Sequence, residues 1–448
     1  MEEAQPALTT VQQEQLVTPF GVVAAGREEA PMEVLLAAMV ERAGDLEVEQ
    51  VAVVPVTVRE TPVMVVMAQM VQSISLPGKL SHMRVHLISL PHTQTTSEYV
   101  SCAYTMKLLK FCKMMKPLGY EVILYSGEEN EADSFEHVPV VKKREVRKWF
   151  GAPDLQNFYP ITWSPNDVHW TTMNKRAVRE IKKRRASERD LVLLIAGTCQ
   201  QQIAAGLPDM ISCEWGVGYE GIFANFCAFE SHAWRHYIYG KRGMVDGRWY
   251  DATIPNFFDR DDFYTVPKKE KGDYLLFMGR IVTRKGPHIA AQIAERLGMK
   301  LIVAGQGGRI EDGVLRSNEI VVGGSQVEYM GAVDAAVRAD LMAHAVATIV
   351  PTIYIEPFGG VAVESMFAGT PAITSDWGAF SETVEPGVTG ERFRTLAEGV
   401  EAVQRARKLN SEKIRARALD RFSIEAVAPQ FDSWFNQLLG LWGKGWDA

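Results

Sequence analysis

From Met83 onward, short, largely apolar runs alternate with stretches whose apolar positions recur at helical spacing, and this alternation is the strongest constraint on the fold. MRVHLISLP at Met83, EVILYS at Glu121, DLVLLIAGT at Asp190 and DMISCEW at Asp209 are runs of this kind. Strands so apolar are covered on both faces, as in a parallel sheet flanked by helices. A helical stretch, Tyr99 to Met115, separates the first two runs, so the module opens β-α-β. After IPNFFDRDDF and the charged KKEKGD a second series begins with YLLFMG at Tyr274 and a helix over His288 to Leu297. KLIVAG, EYMGAV, a helix over Asp334 to Ala343, ATIVPT, a helix over Gly360 to Ala368 and PAITS follow. The expected fold is α/β: two doubly wound, Rossmann-like domains facing a cleft, over residues 83–262 and 263–423. In the remaining residues 424–448, Val427, Phe431, Trp434, Phe435 and Leu438 are spaced as on one face of a helix, which predicts packing back on the first domain.

Residues 1–82 do not share this pattern. They carry 11 acidic against 4 basic side chains, which accounts for the whole net charge of -7 and leaves the remainder neutral. They read as an acidic N-terminal extension, with Met83 a natural start for the module that follows. The most apolar stretch, Val51 to Ile74, is broken by Pro55, Arg59, Glu60 and Pro62, so it predicts strands at Val51 to Val58 and Val63 to Met67 rather than a membrane span. MEEAQPALTTVQQEQ lacks the basic and apolar regions of a signal peptide, and five cysteines without CxxC spacing do not build a disulfide scaffold or a zinc ribbon. The expected location is the cytoplasm.

Open parallel sheets bind ligands beyond the C-terminal ends of their strands. There, YLLFMG leads into GRIVTRKGP, which places Gly279, Arg280 and Lys285 in a strand-to-helix loop. A helix N-terminus with two added cations suits a diphosphate, although a solvated basic loop would look the same. Gly305, after the next strand, permits close backbone approach. The most informative string is IEPFGGVAVESMFAGTPAITSD. Pro357 holds Glu356 extended, Gly359 and Gly360 leave backbone N–H groups accessible, and Glu364 follows on a helix. Ionised carboxylates only accept hydrogen bonds and therefore suit hydroxyl-rich ligands.

These residues carry a resemblance. The run from Tyr274 to Phe393 resembles the donor-binding domain of GT-B retaining glycosyltransferases of family 4, the glycosyl transferases group 1 type, whose marker E-x7-E is matched by Glu356 and Glu364. The resemblance implies that Arg280 and Lys285 hold the donor diphosphate, Glu356 a sugar hydroxyl, Phe358 and Gly359 the sugar through their backbone, and Glu364 the ribose. It also implies a retaining hexose transfer from a nucleotide-diphosphate sugar, such as a UDP-sugar, without a cofactor or metal. The first domain departs from the family: LPHTQTTSEY, with His92, stands where small residues are usual, and Tyr219 and Glu220 stand where a histidine is usual. His92 could orient or deprotonate an acceptor hydroxyl, and Tyr219 and Glu220 could contact the acceptor.

Two patterns are read as decoys. Gly216, Gly218 and Gly221 spell GxGxxG after a strand and before a helix, but deep in the domain, so a tight turn at the cleft is expected. Asp259, Arg260 and Asp261 spell DxD in the linker and are expected to form a solvated turn without metal. Residues 141–190 hold 13 basic side chains, Lys143 and Arg144 among them, against 6 acidic ones. Such a patch attracts phosphate-bearing acceptors, and a solvated helix face is the plain alternative. A small or lipid-linked hydroxyl compound is the preferred acceptor, with hydroxymethylated DNA as its rival. An epimerase, a glycosyl phosphorylase, an NAD enzyme and a non-catalytic nucleotide-sugar binding protein remain other classes, and the oligomeric state is open.

Overall fold

The computed structural model describes residues 52–58, 61–67, 83–100, 102–152, 160–187 and 189–441. Within the N-terminal extension, β1 (Ala52–Val58) and β2 (Thr61–Met67) pair antiparallel with Val58 opposite Thr61, so the two apolar segments form a hairpin. The rest of the extension lies outside the described residues.

The first large sheet contains β3 (Arg84–Ile88), β4 (Glu121–Gly127), β5 (Glu136–Val141), β6 (Leu191–Leu194), β7 (Ile211–Val217), β8 (Phe226–Phe229) and β9 (Ala252–Thr253). They lie in the order β5-β4-β3-β6-β7-β8-β9, all parallel. Its helices are α1 (Ala103–Met115), α2 (Lys143–Phe150), α3 (Val168–Arg184), α4 (Gln201–Ala205) and α5 (His232–Lys241). The helix expected from Tyr99 starts only at Ala103, because Cys102 is extended and Ser97–Tyr99 close a separate 3-10 turn. Both faces of the sheet are covered: Leu87, Leu124 and Leu193 pack on one side, Ile88, Ile123 and Val192 on the other.

The second sheet is also parallel, in the order β15-β11-β10-β16-β17-β18. Its strands are β10 (Tyr274–Met278), β11 (Lys300–Ala304), β15 (Val327–Gly331), β16 (Ala347–Val350), β17 (Ala372–Ser375) and β18 (Gly390–Phe393), with a small meander β12–β14 (Arg309–Glu311, Val314–Arg316, Val321–Val322) inserted after β11. Helices α6 (Pro287–Leu297), α7 (Ala335–His344), α8 (Gly360–Phe367), α9 (Phe380–Thr383), α10 (Leu396–Ala406) and α11 (Ser411–Phe422) flank it. The last helix, α12 (Ile424–Leu441), returns to the first domain, where Val427, Phe431, Phe435 and Leu438 are fully or almost fully buried with Leu87, Phe111 and Trp215.

In each sheet the first strand of the series is central and the chain winds outward both ways, so strand order reverses between β3 and β6 and again between β10 and β16. Crevices open at such reversals. The chain crosses between domains at Phe258 and Ser423, and the crossings lie side by side: Phe258 N donates to Phe422 O at 2.9 Å and Ile424 N to Phe258 O at 3.0 Å.

Candidate active site

The C-terminal ends of the two sheets face each other across a cleft of about 1160 Å³. On the second-domain side, the loop after β10 ends in the turn Thr283–Lys285, and the loop after β16 carries Tyr354 to Gly359. Ile353 N donates to Arg284 O at 2.9 Å and joins the two loops. Lys285 Nζ then lies 2.7 Å from Glu356 Oε2 and 3.1 Å from the Tyr354 hydroxyl, which itself donates to Glu356 Oε1 at 3.0 Å. Burial and the neighbouring Glu356 push the Tyr354 phenol well above its usual range, so it stays a donor.

Glu364, on the second turn of α8, opens into the same cleft, 3.2 Å from Arg338 of α7. Lys110 of the opposite domain closes this end, 3.5 Å from Asp262 and over the Phe258 ring at 4.8 Å, with burial lowering its ammonium pKa. Gly279, Arg280, Gly305, Phe358, Gly359 and Gly360 also line the cleft, so every second-domain residue singled out from sequence is brought together. Phe358 contributes backbone there, since its ring is buried against Phe258 and Phe422. Two glycines are required by geometry: a Cβ on Gly305 (φ 151°) would run into the Gly279 carbonyl, and one on Gly359 (φ 80°) into the Phe380 ring.

The first-domain wall differs more from expectation. His92 lines the cleft but is buried edge-on between Phe150 and Trp163, each ring centroid 6.1 Å away, and burial lowers its pKa to about 3. Burial thus favours the neutral imidazole and works against the proton-accepting role expected of His92. Tyr219 reaches the cleft with its hydroxyl on Glu214 at 3.1 Å, and Glu214 is fully buried, accepting from Phe223 N and Ala224 N at 2.7 Å each. Glu214 therefore ties the loop together. Glu220 is exposed at the cleft edge, held by Tyr237 at 2.6 Å and by Lys241. Lys143 and Arg144 do not line the cleft: they lie exposed on α2, where Lys143 pairs with Glu129.

The glycine run lies at the cleft as expected, with Gly218 lining it, but the helix expected after it is absent, and the DxD string differs from expectation. Gly216 sits in a bulge of β7, and the glycine run leads to β8 before any helix, so the strand-to-helix context of a dinucleotide loop is missing. Asp259 is buried rather than solvated, pairing with Lys113 and accepting from Asp261 N at 3.2 Å. Among the described residues, no three His, Cys, Asp or Glu side chains are grouped to hold a metal, and no helix is long and apolar enough to cross a membrane.

The sequence reading missed a buried ion pair on the cleft wall, Lys107 with Glu230, and also Tyr354, Arg338 and Lys110. One signal was available: Tyr104, Lys107 and Lys110 recur every three residues along α1, one stripe aimed at the cleft.

Two parallel-sheet domains with the candidate site in the cleft between them form the GT-B architecture of glycosyltransferases. Residues 259–418 match the family model described as Glycosyl transferases group 1. Glycogen synthase of Mycobacterium tuberculosis (strain ATCC 25618 / H37Rv) is 35% identical over 124 residues, 26% of this chain and 29% of the relative. Phosphatidyl-myo-inositol mannosyltransferase of Mycobacterium leprae (strain TN) is 29% identical over 225 residues, 44% and 59% of the two chains. The chain thus spans less than two thirds of the length of these curated relatives. The structure of Anabaena HepE in complex with UDP-glucose superposes with a TM-score of 0.54 at 15% identity, covering 80% of this chain and all of that one, and shows the shared fold.

Proposed function

We propose that this protein is a metal-independent, retaining glycosyltransferase that moves a hexose from a nucleotide-diphosphate sugar to a hydroxyl acceptor. Residues 83–262 would bind the acceptor and residues 263–423 the donor. The observation that carries this reading is the convergence of Lys285, Glu356, Glu364 and Arg280 on one cleft, with Lys285 and Glu356 in direct contact. The UDP-glucose named for the HepE structure makes a UDP-sugar the first donor to test.

The chemistry these residues support is charge stabilisation. Arg280, Lys285 and the N-terminus of α6 would meet the negative charge that develops on the departing diphosphate. The bond between the anomeric carbon and the diphosphate oxygen breaks with its electron pair going to the nucleoside diphosphate. The acceptor oxygen bonds to that carbon on the same face, and its proton passes to the leaving phosphate. Glu356 would accept from a sugar hydroxyl and Glu364 from the ribose, while closure of the domains keeps water from the donor.

The test is release of nucleoside diphosphate from a panel of nucleotide sugars, with and without acceptors. Acceptor-dependent release that falls in Glu356→Ala supports transfer. Interconversion of the donor without acceptor would indicate an epimerase, release dependent on phosphate a phosphorylase, and undiminished activity in Glu356→Ala a site elsewhere.

A further inference from the structure

We propose that the outer face of α2 is a nucleic-acid-binding surface that brings an unstacked, hydroxyl-bearing base to the cleft. The proposal rests on the glycosyltransferase reading and names the acceptor class for it. Lys142, Lys143, Arg144, Arg147 and Lys148 are all exposed on this helix and the residue that precedes it. Among the described residues, Lys142, Arg144, Arg147 and Lys148 enter no ion pair, and Lys143 pairs only with Glu129. The one acidic residue of the helix, Glu145, is taken by two 2.7 Å hydrogen bonds from Arg176 of α3. Four of these five outward charges are therefore without an acidic partner among the described residues, unlike those further along α3, where Arg179, Lys183 and Arg184 share Glu180.

The helix also ends against His92, which lines the cleft. Phe150, its last residue, meets the His92 ring at 6.1 Å, and His92 meets Trp163 at the same distance. Trp163 lines the cleft and is 52% exposed. Cations that follow a phosphate backbone, on about 12 Å of helix, together with a half-exposed aromatic ring that packs on Trp170 and His92, are the two parts of a single-strand binding site. An anionic membrane would meet the same cations. However, Val146 and Phe150 bury the apolar face of α2 in the core, leaving nothing on it to insert among lipid chains.

The experiment follows the full chain by fluorescence anisotropy with a labelled single-stranded oligonucleotide containing 5-hydroxymethylcytosine, over a range of salt, with phosphatidylcholine–phosphatidylserine vesicles as competitor. Calorimetry with UDP reports the donor site separately. Arg144→Glu/Arg147→Glu/Lys148→Glu is expected to weaken oligonucleotide binding by more than tenfold and to reduce the salt slope by about 2, at about 0.7 per phosphate contact, with UDP binding unchanged. Trp163→Ala is expected to weaken oligonucleotide binding by about tenfold. A hexose-sized mass increase on the oligonucleotide completes the support. Wild-type affinity in the triple variant overturns the proposal, as does capture by vesicles that the oligonucleotide cannot reverse. If UDP fails to bind, or binds Glu364→Ala as well as wild type, the donor reading fails while the oligonucleotide measurements still decide the surface.

Discussion

Lys285 and Glu356 can be separated into a structural and a functional contribution by a double-mutant cycle. Their charged atoms are 2.7 Å apart, with side-chain exposures of 20% and 9%. At an effective dielectric of 20 the gross attraction is about 6 kcal/mol, but desolvation offsets most of it, and a coupling of about 1–3 kcal/mol should remain. Lys285→Met leaves the Glu356 carboxylate with only the Tyr354 hydroxyl as a hydrogen-bond partner and should destabilise the protein by about 2–3 kcal/mol. At about 2 °C per kcal/mol for a unit of this size, thermal unfolding should shift down by about 4–6 °C. In Lys285→Met/Glu356→Gln the buried charge is gone and the Gln carbonyl still accepts from Tyr354, so stability should return to within about 1 kcal/mol of wild type. Activity should not return. If Lys285 meets the departing diphosphate, kcat stays lower by about 10²–10³ in both the single and the double variant. Calorimetric unfolding and nucleoside diphosphate release on the same preparations read both quantities. A coupling below about 0.5 kcal/mol, or activity recovered together with stability, would refute the argument that the pair is a functional site held ready by its own ion pair.

His92 predicts a pH effect on stability. Its folded pKa of about 3 lies below the unfolded value of 6.5, so between them only the unfolded chain takes up the proton. Stability should therefore fall as pH drops below about 6.5, by a contribution of up to about 1.4 kcal/mol per pH unit, and His92→Phe should flatten that slope in urea titrations. Lys107→Met should cost about 3 kcal/mol in urea unfolding, since Glu230 would remain buried and unpaired, and Lys107→Met/Glu230→Gln should recover most of it. Glu364→Ala should weaken UDP binding by about tenfold or more in calorimetry, by removing a charged acceptor proposed for the ribose.

Part of this site was legible because it is local in sequence. The loop GRIVTRKGP and the string from Glu356 to Glu364 each lie between a strand and the helix that follows, so spacing alone fixes which side chains reach the strand ends. The uniformly apolar runs disclosed both sheets for the same reason, each run being covered on both faces. Strand β5 escaped because EHVPVV is an edge strand, half-exposed and interrupted by Pro139, which an edge tolerates. Lys107 and Glu230 are separated by 123 positions, and no local pattern announces their pairing. The basic stretch shows the same limit from the other side. Counting charges finds an excess, but only the fold tells that Arg176, Arg184 and Arg185 are spent on Glu145, Glu136 and Asp209, and Lys143 on Glu129, while Arg144, Arg147 and Lys148 of α2 enter no ion pair among the described residues.

The two domains are read above as donor and acceptor halves, yet the donor loop is shaped from both sides. Ser231 Oγ, at the N-terminus of α5, donates to the Pro357 carbonyl at 2.7 Å, one residue beyond Glu356. Glu382, in α9 of the second domain, accepts from His232 N and Ala233 N of that helix at 2.9 and 2.6 Å. A carboxylate at a helix N-terminus satisfies two otherwise unpaired donors and complements the helix dipole, so this contact joins the two domains by its own chemistry. The side-by-side crossings at Phe258 and Ser423 leave a narrow pivot about which closure can occur. The backbone that presents Glu356, Phe358 and Gly359 to the cleft is thereby tied to the first domain. Opening would loosen the loop that is proposed to hold the sugar, so water exclusion and sugar positioning become one event.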